Sequence, residues 1–390
     1  MKRLWLRICV GLALAMSAAV ARADDFATKL AAFQAALETS RQEIGFPGAT
    51  AGFVLPDGRS GMVAVGVSDK ATGRPMTPQD RMMSGSTGKT YVSATALALA
   101  RQGRLDLDAP ITRYLGHPDW MTGLPNMDRI TMRQLLGHTS GLRDHVNSPT
   151  FGLTLMKLAQ SDPEKALTAQ QCIGFLKGQT ALFEPGHGYA YSDTGYLIAG
   201  LVIEAAAKQP FYDLARRLFW DPLGLTLTAP ADQRRIPGLT QGYPVWPSGA
   251  PLPDTIAVAP GRLRWNPASE WTGGGVVTNA HDAARWAAAL YGGKAMLGDY
   301  LPEMLRGVPI REGSPKTYGL GVSTAPTPYG TLYGHSGYYP GYRSDLAYFP
   351  DLKIAVAFQI NTETGVREAA VLDAIRNRLV AALVGPPAKP

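Results

Sequence analysis

The sequence predicts an α+β fold: one antiparallel sheet built from both chain ends and flanked by helices, with an inserted, mostly helical region. Three observations carry this. Short apolar segments separated by turn residues lie near the start of the chain, more lie near its end, and the stretch between has helical periodicity. The elements follow in order. "DDFATKLAAFQAALETSRQEIGFPG" sets Phe26, Leu30, Phe33 and Leu37 at helical spacing, and Gly45 and Pro47 end the run. "ATAGFVL" and "GMVAVGV" flank Pro56-Asp57-Gly58 and predict a hairpin. From Ser86 to about Leu227 the pattern is helical, broken by Pro/Gly loops, with "YLIAGLVIEAAAKQ" its clearest helix. "TLYGHSG", "SDLAYF" and "KIAVAFQIN" read as three strands, with Pro350-Asp351 as a turn, and "REAAVLDAIRNRLVAALV" as a closing amphipathic helix. The hairpin signals argue against a doubly wound parallel sheet. Residues 24–85 and 262–390 are assigned to the sheet region and 86–261 to the helical region, forming one unit with its site at the junction.

Residues 1–23 have the layout of a secretory leader. Lys2, Arg3 and Arg7 precede an apolar run through Val20, and Ala21-Arg22-Ala23 fits a small-residue cleavage site. The expectation is an exported protein, periplasmic or secreted, with no transmembrane anchor after cleavage. Removing the leader takes four positive charges from a formal net charge of +7, so the apparent basicity belongs largely to the export signal. No Lys/Arg cluster remains to suggest nucleic acid. Cys172 is the one cysteine outside the leader, which rules out an internal disulfide in the mature chain. Charged residues make up 18%, alongside 43 Gly and 30 Pro, which suits a loop-rich globular enzyme. The six histidines show no H-E-x-x-H or comparable spacing, so neither a metal nor a cofactor is expected. The segment 244–271, rich in Pro and Gly, is long for a plain connection and is a candidate site-lining loop.

The stretch "SGSTGKT", residues 84–90, holds two overlapping motifs. One is a phosphate loop ending in Gly88-Lys89-Thr90. That motif needs a glycine at position 83, which is Met83, and a hydrophobic strand before it, where the sequence has the polar "DKATGRPMTPQDR". The other is S-x-x-K, with Ser86 as a nucleophile and Lys89 one helical turn away. "TYVSATALALARQGRL" continues as a helix with Gly103 at its end, so Ser86 falls in the first turn. There the unpaired N–H groups favour developing negative charge. Alone this motif is weak, since a chain of this length gives roughly one match by chance.

The partners raise it. Tyr191-Ser192-Asp193 precedes a helix, and His335-Ser336-Gly337 lies on a predicted strand. With "LLGHTSGL" and "GGGVVTNAHDAARW", these motifs make the chain resemble the serine β-lactamase and D-alanyl-D-alanine carboxypeptidase superfamily, from about Ala51 to Asn361. The closer resemblance is to the branch of class C β-lactamases, D-aminopeptidases and esterases, which implies a β-lactamase/transpeptidase-like fold. The resemblance also implies a serine hydrolase acting through an acyl-Ser86 intermediate on amide or ester bonds. Lys89 and Tyr191 would share the proton transfers, and the backbone N–H groups of Ser86 and Tyr338 would form the oxyanion hole. The leading reading is a D-alanyl-D-alanine carboxypeptidase or D-amino-acid peptidase, with peptidoglycan among its candidate partners. The alternatives are a class C-like β-lactamase, a carboxylesterase, or, in another class, a penicillin-binding sensor-like protein with slow turnover.

Several residues depart from that pattern or stand apart from it. Asp193 stands where relatives often carry Asn, and a carboxylate there is expected to pair with Lys89, favouring Tyr191 as the base. His335 replaces a lysine found in class C β-lactamases and would hold a substrate carboxylate less strongly, which favours peptidase or esterase over β-lactamase. Gly88 fills a position that is often a hydroxyl residue and should loosen the first turn slightly. His138 reads as a structural hydrogen-bonding residue, and Asp144 and His145 as a loop beside it. The glycines 273–275 read as a close backbone approach. Tyr338, Tyr339 and Tyr342 are either pocket walls or packing.

Overall fold

The structure, a computed structural model, describes residues 25–246 and 252–387. The leader assigned to residues 1–23 and the centre of the 244–271 segment lie outside the described residues. Residues 25–44 are helical, and Gly45 ends the helix at φ +85. The hairpin follows as strands Gly48–Val54 and Ser60–Asp69, paired from Val54↔Ser60 outward. Its turn is closed by Gly58 N–H donating to the Leu55 carbonyl at 2.9 Å.

The two chain ends meet in the middle of one sheet. Strand Ile354–Ile360 pairs with Gly48–Val54 on one side and with Tyr342–Phe349 on the other. The full order is 74–75, 60–69, 48–54, 354–360, 342–349, 330–339, 323–327, 317–318, 308–309, nine strands with every pairing antiparallel. Side-chain size along the central strand decides what packs on each face. Ile354, Val356, Phe358 and Ile360 point one way, into a core with Phe33 and Leu37 of the first helix and Leu372, Ile375 and Leu379 of the last, Ala369–Val384. Ala355 and Ala357 point the other way, and these small side chains admit helix Ala280–Tyr291. On the neighbouring strand a Cβ at Gly52 would stand 2.7 Å from the Ala280 carbonyl oxygen, so the close approach requires glycine there.

The inserted region is built on two helices, Lys89–Arg101 and Asp193–Ala207. They share a core of Tyr91, Val92, Leu97, Tyr196, Leu197, Ile198 and Val202. Trp286 joins this core to the sheet layer, stacking on Tyr91 at 4.3 Å and donating its indole N–H to Thr90 Oγ1 at 2.8 Å. The region expected to be mainly helical also contributes strand Ala229–Pro230 to a small sheet with Met82–Met83 and Val276–Thr278. Lys89 and Asp193 are the first residues of their helices, so two helix N-termini converge at one place beside strand Gly330–Tyr339.

Candidate active site

Ser86 sits on a 3-10 turn, Gly85–Gly88, that feeds directly into helix Lys89–Arg101. From Met82 to Leu99 it is the single residue that is not buried. Glycines hold it there. Gly85 takes φ +53, and a Cβ on it would lie 2.3 Å from the Tyr338 carbonyl oxygen and 2.6 Å from the Tyr338 nitrogen. A Cβ on Gly274 would lie 2.6 Å from the Gly85 carbonyl carbon, and one on Gly337 would lie 2.0 Å from the Ser84 oxygen. Any larger residue at these points would force the segments apart, and with them the Ser86 turn and the Tyr338 backbone.

Lys89 is fully buried, and its ammonium has three oxygen partners. It donates to Ser86 Oγ at 3.0 Å, forms an ion pair with the Asp193 carboxylate, and donates to the Gly273 carbonyl. The Tyr191 and Tyr196 rings stand 5.0 and 5.2 Å from the nitrogen. A buried cation is tolerated only when paired and hydrogen-bonded, and this set meets that condition. The structure thus makes the Lys89–Asp193 contact expected from the sequence. It also gives the glycine run 273–275 a polar function, since the turn supplies the lysine's third acceptor.

The Tyr191 hydroxyl is shielded from solvent and has no hydrogen-bond partner of full geometry. Burial pushes its pKa well above the usual phenol range and the Asp193 carboxylate pushes it further, while the Ser86 hydroxyl pulls it down. Both effects favour the protonated phenol. His138 packs behind it, with ring centroids 4.0 Å apart. Its Nδ1 accepts the Ser192 N–H at 3.1 Å, which puts the ring proton on Nε2, and burial keeps the imidazole neutral. His138 acts on the segment that carries Tyr191, as the sequence suggested.

Asp144 has a larger part than a neighbouring loop. Its Oδ2 accepts the Asp193 N–H at 3.0 Å, fixing the residue that holds Lys89. Burial, with Asp193 second, raises its pKa to about 6. Glu270, on the turn leading to Gly273, is pushed up to about 7 by burial first and then by Asp193. Sequence reasoning missed Glu270 because no motif marks it.

The sheet wall bears on two readings. Along strand Gly330–Tyr339 the pleat exposes Ser336 and Tyr338 and buries His335, Gly337 and Tyr339. His335 Nδ1 donates to the Ser336 carbonyl at 2.6 Å, and Nε2 accepts the Tyr318 hydroxyl at 2.8 Å. Both nitrogens are engaged, and burial lowers its pKa to about 3, so His335 offers no free donor to a substrate carboxylate. Tyr318, its partner, comes from a two-residue strand with no sequence signal. Of the three tyrosines, Tyr338 is open at 45% exposure, while Tyr339 and Tyr342 are core residues. The described end of the 244–271 segment, 257–261, lines a cavity of about 680 Å³ with Ser68, Arg74 and Arg235, which does not include Ser86.

Comparison with known proteins agrees with this architecture. Penicillin-binding protein 4* of Bacillus subtilis is 25% identical over 325 residues, 80% of this chain and 68% of that protein. A D-stereospecific amidohydrolase from Streptomyces superposes with a TM-score of 0.76 at 25% identity, covering 91% of this chain and 98% of that one. The D-amino acid amidase of Ochrobactrum anthropi SV3 in complex with D-phenylalanine gives 0.75 at 27% identity, covering 90% and 98%. The family model described as Beta-lactamase matches residues 33–381. The chain belongs to the Beta-lactamase family and is an enzyme of its serine-hydrolase class.

Proposed function

We propose that this enzyme cleaves amide bonds of D-aminoacyl substrates through an acyl-Ser86 intermediate. The observation that carries the reading is the accessible Ser86 hydroxyl 3.0 Å from the buried Lys89 ammonium, itself paired with Asp193. Ser86 attacks the carbonyl. Its proton passes to the Lys89–Asp193 pair, and the positive charge the pair gains is balanced by the oxyanion formed in the same step. Tyr191, a neutral phenol, gives its proton to the leaving nitrogen and recovers one from the pair, so the amine departs with the proton that Ser86 lost. The N–H groups of Ser86 and Tyr338, drawn together by Gly85, stabilise the oxyanion, and each such donor is worth about 3–4 kcal/mol in the transition state. Water then attacks the ester and returns a proton to Ser86.

The D-aminoacyl assignment is supported by the likeness to the D-amino acid amidase and the D-stereospecific amidohydrolase. The neutral, fully engaged His335 favours amide over β-lactam substrates, because it offers a lactam carboxylate no charged donor. The reading includes export, from the leader pattern of residues 1–23. Among the described residues no helix is long and apolar enough to cross a membrane.

The test is kinetic. Purified protein is assayed on D- and L-amino acid amides, a chromogenic cephalosporin and a short nitrophenyl ester, with Ser86→Ala as control. The expected result is turnover of the D-amides at least about tenfold above the L-amides and the cephalosporin, all of it lost in Ser86→Ala. Equal turnover of D- and L-amides, or activity surviving in Ser86→Ala, would refute the reading.

A further inference from the structure

Trp271 breaks a backbone rule beside the Ser86 site. Its φ is +32, a left-handed value that bulky side chains rarely adopt. Such a conformation persists only where the surroundings impose it, and strain of this kind gathers at functional sites. The residue opens the short turn Trp271–Gly274. Two residues on, the Gly273 carbonyl accepts from the Lys89 ammonium. Gly274 then lies against the Ser86 turn, where a Cβ on it would stand 3.1 Å from the Ser86 nitrogen. One turn therefore touches both the lysine and the Ser86 N–H.

Helix Asp193–Ala207 imposes the conformation. Thr272, buried at 1% exposure, donates its hydroxyl to the Tyr196 carbonyl of that helix at 2.8 Å. Gly200 lies one helical turn beyond Tyr196, and its missing side chain leaves room for the contact. A Cβ on Gly200 would lie 2.5 Å from Thr272 Oγ1 and 2.8 Å from Trp271 Cη2, closer than Cβ atoms pack. The backbone does not ask for glycine here, since Gly200 has negative φ inside a helix, where glycine is a poor former. The seat it makes for Thr272 and Trp271 accounts for it. At the far end, the Gly275 carbonyl accepts the Tyr212 hydroxyl at 2.7 Å and the Ala231 N–H at 2.9 Å, so the turn is fixed on both sides of Gly273.

The same helix thus governs two of the three oxygen partners of Lys89. Its first residue, Asp193, pairs with the ammonium directly, and its Tyr196–Gly200 turn seats the segment that carries Gly273. Where this segment sits on the helix sets the spacing of the two acceptors around the ammonium and, through Gly274, the placement of Ser86.

We propose that Thr272 and Gly200 are positioning residues for acylation: their contact locks the 271–275 turn so that Lys89 and the Ser86 N–H are held in reacting geometry. Both are buried, so they act through the turn rather than on the substrate. This inference rests on the acyl-Ser86 reading.

The experiment counts working sites and measures their rate separately. A slowly deacylating acyl donor, taken to its plateau and read by intact mass, titrates the functional Ser86. For a nitrophenyl ester, kcat/KM reports the steps through acylation and is expressed per titrated site, so unfolded protein does not enter. Thr272→Val keeps the shape and removes the donor, and kcat/KM per site should fall by about tenfold. Thr272→Ser keeps the donor and should retain most of the native value. Gly200→Ala pushes the turn off the helix and should cost about 10²-fold. A native value per site in Thr272→Val, or equal losses in Thr272→Val and Thr272→Ser, overturns the inference. So does a loss in Thr272→Val confined to the number of titrated sites, which is what a purely structural contact would give. Ester hydrolysis that survives in Ser86→Ala marks a failure of the acyl-serine reading instead.

Discussion

The two walls around Ser86 use opposite electrostatic strategies. The wall that carries the helix N-termini holds the charge: Lys89 paired with Asp193, and Asp144 accepting the Asp193 N–H. The sheet wall is neutral, with His335 closed between Tyr318 and a backbone carbonyl and Tyr338 presented beside Gly85. Each wall buries a basic side chain at the site, but one has a carboxylate partner and the other has only neutral ones. The difference assigns the work. On the proposed mechanism, proton transfer belongs to the charged wall, and oxyanion stabilisation belongs to fixed backbone dipoles that need not reorganise.

That contrast can be broken at four points, from the largest expected effect to the smallest. Lys89→Ala removes the cation and leaves Asp193 unpaired, and kcat should fall by about 10⁴-fold on both amides and esters. Tyr191→Phe should cost about 10²–10³-fold on an amide but under about tenfold on a nitrophenyl ester, because nitrophenolate leaves without a proton. An equal loss on both substrates would move Tyr191 out of the acid role. On the neutral wall, His335→Asn should cost about tenfold or less in kcat/KM and leave the acidic limb of the pH–rate profile in place. With its pKa lowered to about 3, His335 is neutral across the working range, so a limb that moved with the substitution would mean the ring is charged in the cycle.

The smallest effect is on stability. Glu270 makes no ion pair among the described residues, and its pKa is raised to about 7 from an ordinary 4.5. A raised carboxyl favours the folded state most when protonated. Its contribution is complete below about pH 4.5 and falls away as pH rises through 7. Glu270→Gln should therefore match the native enzyme at pH 4 and exceed it by about 1–2 kcal/mol at pH 8.5 in chemical unfolding.

The sequence made the charged wall legible in part. Ser86 and Lys89 are three residues apart in a helical pattern, so their shared face follows from helix geometry alone. Tyr191 and Asp193 were found through the family resemblance of the motif they form at the start of a strong helix. The partners that finish the site come from elsewhere: Gly273 and Glu270 from a turn, Asp144 from a loop and Tyr318 from a two-residue strand. Those approaches are set by tertiary packing, to which local periodicity is blind. The sheet wall was misread for a related reason. His335 carries the family motif, but the pleat turns its side chain inward and presents Ser336 and Tyr338 instead. The global fold was easier to read, since the hairpin residues at both ends and the alternating Ile354–Ile360 strand encode pairing and facing directly.

The most direct test of the account is to identify the covalent intermediate. Protein mixed with a slowly deacylating acyl donor is quenched in acid, weighed intact and digested for peptide mapping. The account predicts one acyl adduct per chain, located on Ser86 and absent from Ser86→Ala. An adduct on any other residue, or the same adduct in Ser86→Ala, would contradict it.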